Sequence, residues 1–140
     1  MATPSPSPEP PSTVIVVEPD ILARMVIADY LRGCAYKVIE VSLAEEALTV
    51  LRADIQVDVV LCEVKGIGAM DGFSLARQIR QTYPAIDVVL TSGTSTAAEK
   101  SHELCEENVV NKPYQPQDIM ARINLLREHR RRSKLSRDLP

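Results

Sequence analysis

Four charged side chains in this sequence each follow a short apolar run, at the point where a buried strand is expected to end. They are Glu18, Asp20, Glu63 and Lys112. Two or three carboxylate oxygens can hold Mg²⁺, and an acidic side chain can accept a phosphoryl group as a nucleophile. A lysine pairs with phosphoryl oxygens, and a hydroxyl such as that of Ser92 can donate to them. These residue types predict a magnesium or phosphoryl-transfer site.

The four residues meet only if the runs before them form one sheet. The runs with strand character are TVIVV, YKVIEV, VDVVLC, DVVLTS and NVVN. Five segments have helical periodicity: DILARMVIADYLRG, SLAEEALTVLRA, FSLARQIRQTY, TAAEKSHELCEE and PQDIMARINLLREHRRR. Strands that alternate with helices predict an α/β domain with a parallel sheet. In such a sheet, ligands bind outside the carboxyl ends of the strands, where the charged residues are placed.

Several helix ends are marked by residue type. Ser42 and Glu45 have the spacing of a capping box at the start of the second helix. The first helix is expected to end at Gly33, because glycine accepts the left-handed conformation that often closes a helix. Asp71 is expected to cap the helix that begins at Phe73.

Length and composition are those of one globular domain. The chain has 140 residues, of which 45% are apolar and 25% charged, which suits a single core. It contains neither a secretory signal nor an apolar run long enough to span a membrane. Cys34, Cys62 and Cys105 fit none of the metal or redox spacings, so we expect three reduced core cysteines in a cytoplasmic protein.

Charge divides the chain into parts. We expect a Pro/Ser-rich leader at residues 1–12, a folded domain at 13–127 and a basic tail at 128–140. From Arg127 onward the chain has six basic and two acidic residues, a net charge of +4. Because the net charge of the whole chain is −3, the residues before Arg127 carry a net charge of −7. The basic end can bind nucleic acid or an acidic partner, or can be a solvated helix end whose cations favour the helix dipole.

Residues 14 to about 127 resemble the receiver domain of bacterial two-component response regulators. The resemblance is carried by VIVVEPDILARMVIADYL, VIEVSLAEEAL, DVVLCEV, MDGFSLARQIR, DVVLTSG and NKPYQPQDIMARI. It implies a flavodoxin-like, CheY-like doubly wound fold, with a five-stranded parallel sheet flanked by five helices.

Several site positions depart from the pattern of that family. Where the family has an aspartate as phosphate acceptor, this chain has Glu63, and the loop after it is one residue longer than usual. Glu18 keeps the first acidic place after the first strand, but Pro19 occupies the place of a direct Mg²⁺ ligand, and Asp20 follows it. Proline carries no ligand atom in its side chain.

Other positions are implied by the same resemblance. Ser92 matches the hydroxyl that senses the phosphoryl group, and Lys112 matches the phosphate-pairing lysine. Val109 stands where the family has a rotating aromatic residue. The peptide bond before Pro113 is expected to be cis.

These departures predict a pseudo-receiver that acts by binding. The Glu63 carboxylate sits one methylene, about 1.5 Å, further out than that of aspartate. A misplacement of about an ångström can slow a reaction on the order of a hundredfold. Glu63 either imitates a phosphorylated aspartate or pairs with Lys112 and neutralises the site. We expect no cofactor, weak or absent Mg²⁺ binding and no enzymatic activity.

The predicted partner is a signalling protein such as a histidine kinase or an output protein, and no output domain is expected in this chain. A homodimer through the fourth helix, fifth strand and fifth helix is also possible. A working phosphoreceiver that uses Glu63 or Asp20 with Mg²⁺ is the first alternative. Nucleic-acid binding through the tail is the second, and is disfavoured because the tail has no aromatic residues for stacking.

Overall fold

The computed structural model describes residues 12–93 and 109–138. The strands are β1 (Thr13–Val17), β2 (Lys37–Val41), β3 (Val59–Glu63), β4 (Asp87–Ser92) and β5 (Val109–Asn111). The helices of the described residues are α1 (Ile21–Gly33), α2 (Ala44–Arg52), α3 (Gly72–Thr82) and α4 (Pro116–Asp138). The fourth helix predicted from the sequence, at residues 96–107, lies outside the described residues.

All five strands form one parallel sheet in the order β2-β1-β3-β4-β5. This is the strand order of the flavodoxin-like doubly wound fold, and the predicted fold class is confirmed. Because the chain reverses its winding direction between β1 and β3, the carboxyl ends of these two strands border the crevice where such folds bind ligands.

Helices cover the sheet on both faces, and each face has its own apolar layer. Helices α2 and α3 pack on one layer, which includes Ile15, Val60 and Leu90. Helices α1 and α4 pack on the other through Ile27, Leu31, Ile119 and Ile123. β1 is buried along its whole length, as its continuous β-branched sequence predicts.

Three of the predicted helix ends can be compared with the structure. α1 ends at Gly33 as expected, but Gly33 itself is helical and the left-handed residue is Ala35, with φ of 70°. Asp71 caps α3 as expected, because its Oδ1 accepts from the Ser74 N–H at 2.8 Å. At α2 the prediction was wrong by one residue. The helix begins at Ala44, so the third helical residue is Glu46 rather than Glu45, and the Glu46 carboxylate accepts from the backbone N–H groups of Ser42 and Leu43 at 3.1 and 3.0 Å.

The basic end of the chain continues the last helix. α4 runs to Asp138, through the residues that the sequence analysis set apart as a tail. Arg130 ties this extension to the amino end of β4, since its guanidinium donates to the Asp87 carboxylate at 2.8 Å and to the Pro84 carbonyl at 3.2 Å. No helix in the described part of the chain is both long and apolar enough to span a bilayer.

Candidate functional site

The carboxyl ends of four strands converge on one cluster of polar side chains. Glu18 follows β1, Glu63 ends β3, Thr91 lies near the end of β4 and Lys112 follows β5. The pairing of Val17 with Cys62 places Glu18 and Glu63 at adjacent strand ends. Parallel strands thus gather residues from across the sequence at one edge of the sheet, as predicted for Glu18, Glu63 and Lys112.

Lys112 binds both glutamates. Its Nζ lies 2.8 Å from Glu63 Oε2 and also contacts Glu18 Oε1. The two glutamate side chains are largely buried, with 6% of the Glu18 side chain and 11% of the Glu63 side chain exposed, whereas 27% of Lys112 is exposed. Partial burial by itself lowers the pKa of Lys112, but hydrogen bonds to Glu18 and Glu63 and their negative charges outweigh this effect and raise it. Lys112 is therefore held as a cation between two carboxylates.

A hydroxyl completes the environment of Glu63, and it belongs to Thr91. Thr91 Oγ1 donates to Glu63 Oε2 at 3.0 Å, and the two residues are direct partners in the β3–β4 pairing. Partners in register project their side chains on the same face of a sheet, whereas Ser92 is one position further and points to the other face. The sequence predicts the hydroxyl role for Ser92 rather than Thr91, because the register between β3 and β4 cannot be read from one sequence.

Ser92 is nevertheless part of the same region. Its side chain is buried, and its carbonyl accepts from the Lys112 N–H at 2.7 Å. This backbone contact fixes the start of the turn after β5. The next peptide bond, between Lys112 and Pro113, is cis, the geometry that the resemblance implied.

Asp20 and Pro19 lie at the edge of the cluster and have other roles. Asp20 is exposed and caps α1, because its Oδ1 accepts from the Ala23 N–H at 3.0 Å. The Pro19 ring lies beside the loop after β3, where a Cβ built on Gly66 would come within 3.4 Å of Pro19 Cγ. Gly66 has φ of 80°, a left-handed conformation that glycine adopts without strain.

That loop is fixed to the start of α2 by residues that the sequence did not mark as functional. Ile67 is completely buried, and its carbonyl accepts from the Ala44 N–H at 2.7 Å. Glu45, predicted as part of a capping box, accepts instead from the Ala69 N–H at 3.2 Å. The loop is thus pinned against the body of the domain beside Glu63.

Val109, the position matched to the rotating aromatic residue, begins β5 and pairs with Leu90. It is partly buried and packs against the apolar layer under α2 and α3. Its branched aliphatic side chain fills this place as a packing residue.

The side chains at this site do not offer a suitable set of ligands for Mg²⁺, which requires near-octahedral coordination by oxygen atoms. The side chain of Pro19 offers no ligand atom. Glu18 uses Oε1 for Lys112, and its Oε2 accepts from the Asp20 N–H at 3.2 Å. Glu63 Oε2 accepts from both Thr91 and Lys112. Within the described residues no group of three or more His, Cys, Asp or Glu side chains is arranged to hold a metal ion.

Fold and site together define a receiver, and comparison with known proteins gives the family. The sequence profile of the response regulator receiver domain matches residues 14–124. The chain belongs to this family of signalling domains, the receivers of two-component signal transduction.

Individual relatives are distant. A probable transcriptional regulator, ycf27 of Cyanophora paradoxa, is 25% identical over 115 residues, which cover 81% of this chain and 47% of the relative. The chain therefore spans about half the length of that protein.

Among solved structures, the receiver domain of an HD domain-containing protein from Pseudomonas fluorescens superposes with a TM-score of 0.74 at 23% identity, covering 86% of this chain and 97% of that one. A CheY-like receiver from Methanospirillum hungatei gives a TM-score of 0.77 at 17% identity, covering 89% and 99%. These likenesses support the fold.

Proposed function

We propose that this receiver acts as a pseudo-receiver, which regulates a partner signalling protein by direct binding and without phosphorylation. The observation that carries the proposal is the position of Lys112 Nζ between Glu63 and Glu18, with Thr91 donating to the same oxygen of Glu63. The groups that would receive and neutralise a phosphoryl group are bonded to one another.

Phosphoryl transfer to Oε2 of Glu63 would have to disrupt this arrangement. A nucleophilic carboxylate needs a free oxygen lone pair directed at phosphorus, and transfer depends mainly on positioning and charge stabilisation. Oε2 of Glu63 already accepts from an ammonium group and a hydroxyl. Moving Lys112 to a phosphoryl group would leave the largely buried Glu18 and Glu63 without their shared cation.

Loss of the metal site acts in the same direction. Mg²⁺ normally neutralises the charge that develops on a transferring phosphoryl group. With Pro19 at the ligand position, the site holds two largely buried carboxylates, Glu18 and Glu63, and one lysine, and the exposed Asp20 adds a third carboxylate at its edge. A dianionic phosphoryl donor would therefore approach a negatively charged site.

The experiment is intact-mass measurement of the purified chain after incubation with acetyl phosphate and Mg²⁺. We expect no added phosphoryl group on the unmodified protein. The matched control is the double variant Pro19→Asp/Glu63→Asp, which restores a ligand and an acceptor on the same scaffold and is expected to gain mass. Addition of phosphate to Glu63 or Asp20 of the unmodified protein would instead establish a working phosphoreceiver.

A second measurement tests metal binding directly. Calorimetric titration with Mg²⁺ is expected to show much weaker binding to the unmodified chain than to the double variant, since Mg²⁺ requires near-ideal oxygen geometry. Equal affinities for the two proteins would show that the site holds the ion without an acid at position 19, and would remove one support of the proposal.

A further inference from the structure

An open groove of about 840 Å³ lies at the amino edge of the sheet, at the opposite end of the strands from Glu63. Its walls come from the residues before β1, β3 and β4, from the turn between α1 and β2, and from α4. We call it the amino-edge groove; its lining includes Ser12, Tyr36, Asp58, Asp87, Asn124 and Arg127. Its volume is in the range that small-molecule ligands occupy in proteins.

Part of the amino-edge groove is apolar and carries an aromatic ring. Tyr36 and Met120 pack on the apolar layer under α1 and α4 and also line the groove. The backbone of Tyr36 is held in place, because its N–H donates to the Leu31 carbonyl at 3.1 Å. An aromatic ring on a fixed backbone beside an open groove is suited to stack against a planar group.

The three carboxylates that line the groove are already bonded. Asp87 accepts from Arg130 at 2.8 Å, and Glu128 accepts from Arg131 at 2.8 Å. Asp58 accepts from the first backbone N–H of β1 at 2.8 Å. Two arginines of the groove are therefore neutralised by acidic neighbours.

Arg127 is the arginine of the groove that has no carboxylate partner in the described part of the chain. Its guanidinium donates to the Ser12 hydroxyl, and the residue is half-buried. A guanidinium carries five N–H donors in a planar fork, which matches two oxygens of a phosphate or carboxylate. Asn124 is exposed and also lines the groove, and residues three apart are neighbours on a helix surface. Arg127 and Asn124 thus offer adjacent donors.

Charge around the groove favours an anion. The three carboxylates are set against four arginines, which leaves a formal charge of +1, and the last residues of α4 contribute a further +1. The arginines are Arg127, Arg130, Arg131 and Arg132, and the further residues are Lys134, Arg137 and Asp138. A ligand with one or two negative charges therefore complements this end of the domain.

We propose that the amino-edge groove binds a nucleoside monophosphate, with its phosphate on Arg127 and Asn124 and its planar base on Tyr36. A phosphate has three terminal oxygens, enough for the guanidinium fork and the Asn124 amide together. The proposal goes beyond the binding function argued above, because the groove lies at the other edge of the sheet from Lys112 and uses no residue of the ion cluster.

The probe is adenosine monophosphate, titrated into the full chain in metal-free buffer and followed by amide chemical shifts. We expect shifts at residues 34–36 and 124–127 and none at Thr91 or Lys112. Adenosine and inorganic phosphate are titrated separately, since each supplies one half of the ligand. Each is expected to bind at least about tenfold more weakly than adenosine monophosphate.

Substitutions at Arg127 test the phosphate contact. Arg127→Met is expected to weaken binding of adenosine monophosphate by about tenfold or more, because it removes the charged donors. Arg127→Lys keeps the charge without the fork and should recover part of the affinity. Arg132→Met is the matched control on the same helix. Arg132 is 77% exposed and paired with Glu128, so its loss should change the affinity by less than about twofold.

Two further variants separate the two halves of the ligand. Asn124→Leu removes a donor from an exposed position, where the fold does not depend on it, and should weaken binding by about threefold. Tyr36→Leu should weaken binding of adenosine monophosphate by about fivefold and leave that of inorganic phosphate unchanged. Tyr30→Leu, on α1 and outside the groove, is its control and should leave both unchanged.

Several outcomes would overturn the proposal. Absence of shifts at residues 34–36 and 124–127, adenosine binding as tightly as its monophosphate, or full affinity in Arg127→Met would each do so. Equal affinity for inorganic phosphate would replace the nucleotide site with a simple anion site. If Arg127→Met does not fold, Arg127→Lys and Asn124→Leu carry the same test.

The acetyl phosphate experiment is independent of this one. A phosphoryl gain there defeats the pseudo-receiver proposal and leaves the amino-edge groove untouched, whereas failure of adenosine monophosphate to bind defeats only the groove.

Discussion

Thr91 and Glu63 are direct partners on neighbouring strands, and the Thr91 hydroxyl donates to Glu63 Oε2 at 3.0 Å. The same oxygen lies 2.8 Å from Lys112 Nζ, and Lys112 also contacts Glu18. These bonds connect the ends of β4, β3, β5 and β1. The cluster therefore has a structural role at the edge of the sheet, and removing one member should affect the stability of the whole domain.

Thr91→Val tests the hydroxyl contact with little change of shape. Thr91 is buried, and valine cannot donate to the Glu63 carboxylate. A hydrogen bond to a charged group contributes about 1.5–3 kcal/mol, so we expect the free energy of unfolding to fall by that amount. Urea denaturation measures it. Thr91→Ser keeps the donor and should lose only about 1 kcal/mol for the missing methyl group; an unchanged free energy of unfolding in Thr91→Val would show that the hydroxyl contributes nothing.

Lys112→Met should be more harmful, because it leaves two largely buried glutamates without their cation. Removing one member of a buried ion pair typically costs about 3–5 kcal/mol. We expect about 2–3 kcal/mol for this partly exposed lysine, since solvent screens part of the interaction. Urea denaturation near neutral pH is the measurement.

Arg132→Met is the control for the lysine variant. The Arg132 side chain is 77% exposed in its pair with Glu128, so its loss should cost less than about 1 kcal/mol. If Lys112→Met were as mild as this control, Glu18 and Glu63 would not depend on Lys112 for their stability in the fold.

The two substitutions should also interact. Thr91 and Lys112 both bind Glu63 Oε2, and residues that share a partner give non-additive effects. A double-mutant cycle of Thr91→Val and Lys112→Met measures the coupling, and a coupling energy of at least about 0.5 kcal/mol is expected. Strict additivity would indicate that the two contacts form independently.

The sequence predicted the fold well because the pattern repeats along the whole chain. Each β-branched run such as TVIVV must be covered on both faces, and the helices between the runs provide that cover. The same pattern predicted that Glu18, Glu63 and Lys112 would lie together at one edge of the sheet. Which hydroxyl meets Glu63 depends on strand register, and a shift of one residue exchanges the faces. Thr91 and Ser92 both carry hydroxyls, so residue type could not distinguish them.

The contacts of the loop after β3 could not be predicted from the sequence either. Ile67 is a single apolar residue among glycines, and nothing nearby in the sequence shows that it is completely buried. Its position depends on the start of α2, which lies more than twenty residues earlier in the chain. Glu45 had a plausible local partner by spacing, but the helix began one residue later and Glu45 bonded to Ala69 instead. Spacing along the sequence does not show whether a side chain will bond to a nearby backbone group or to one brought close by the fold.

Stability should fall at alkaline pH because three groups keep their protons more firmly in the folded chain. Burial, followed by the charges of Glu63, Glu18 and Asp71, raises the pKa of the Cys62 thiol above its ordinary 9.0. Burial also raises the pKa of Tyr114 above 10.0, although Lys112 opposes this. The pKa of Lys112 is raised above 10.5, since its bonds to the two glutamates outweigh its burial.

Each of these three side chains loses its proton at a lower pH in the unfolded chain than in the folded chain. The free energy of unfolding therefore has the full contribution of these groups below pH 9.0 and decreases as the pH rises above that value. Urea midpoints measured at intervals from about pH 8 to about pH 11 should show this decrease. Lys112→Met should remove the part that begins near 10.5, and Tyr114→Phe the part that begins near 10.0. A rise in stability over this range would contradict the assigned directions.

Gly72, the first residue of α3, lies too close to β3 for any side chain. A Cβ at this position would be 2.8 Å from Val64 Cα and 2.9 Å from the Glu63 carbonyl oxygen. Both are backbone atoms that cannot rotate away, so Gly72→Ala must separate α3 from the end of β3. We expect the free energy of unfolding to fall by about 1–3 kcal/mol, the usual cost of forcing extra atoms into a packed site.

Gly33→Ala is the matched control, because Gly33 is also helical and a Cβ there meets no atom within 4 Å. Alanine restricts the unfolded chain more than glycine and suits a helix better, so this variant should gain about 0.4–1 kcal/mol. Opposite signs for the two substitutions in urea denaturation would show that close approach, rather than helix propensity, requires glycine at position 72. Because the crowded carbonyl belongs to Glu63, Gly72→Ala should also shift the amide resonances of Thr91 and Lys112, whereas Gly33→Ala should leave them in place.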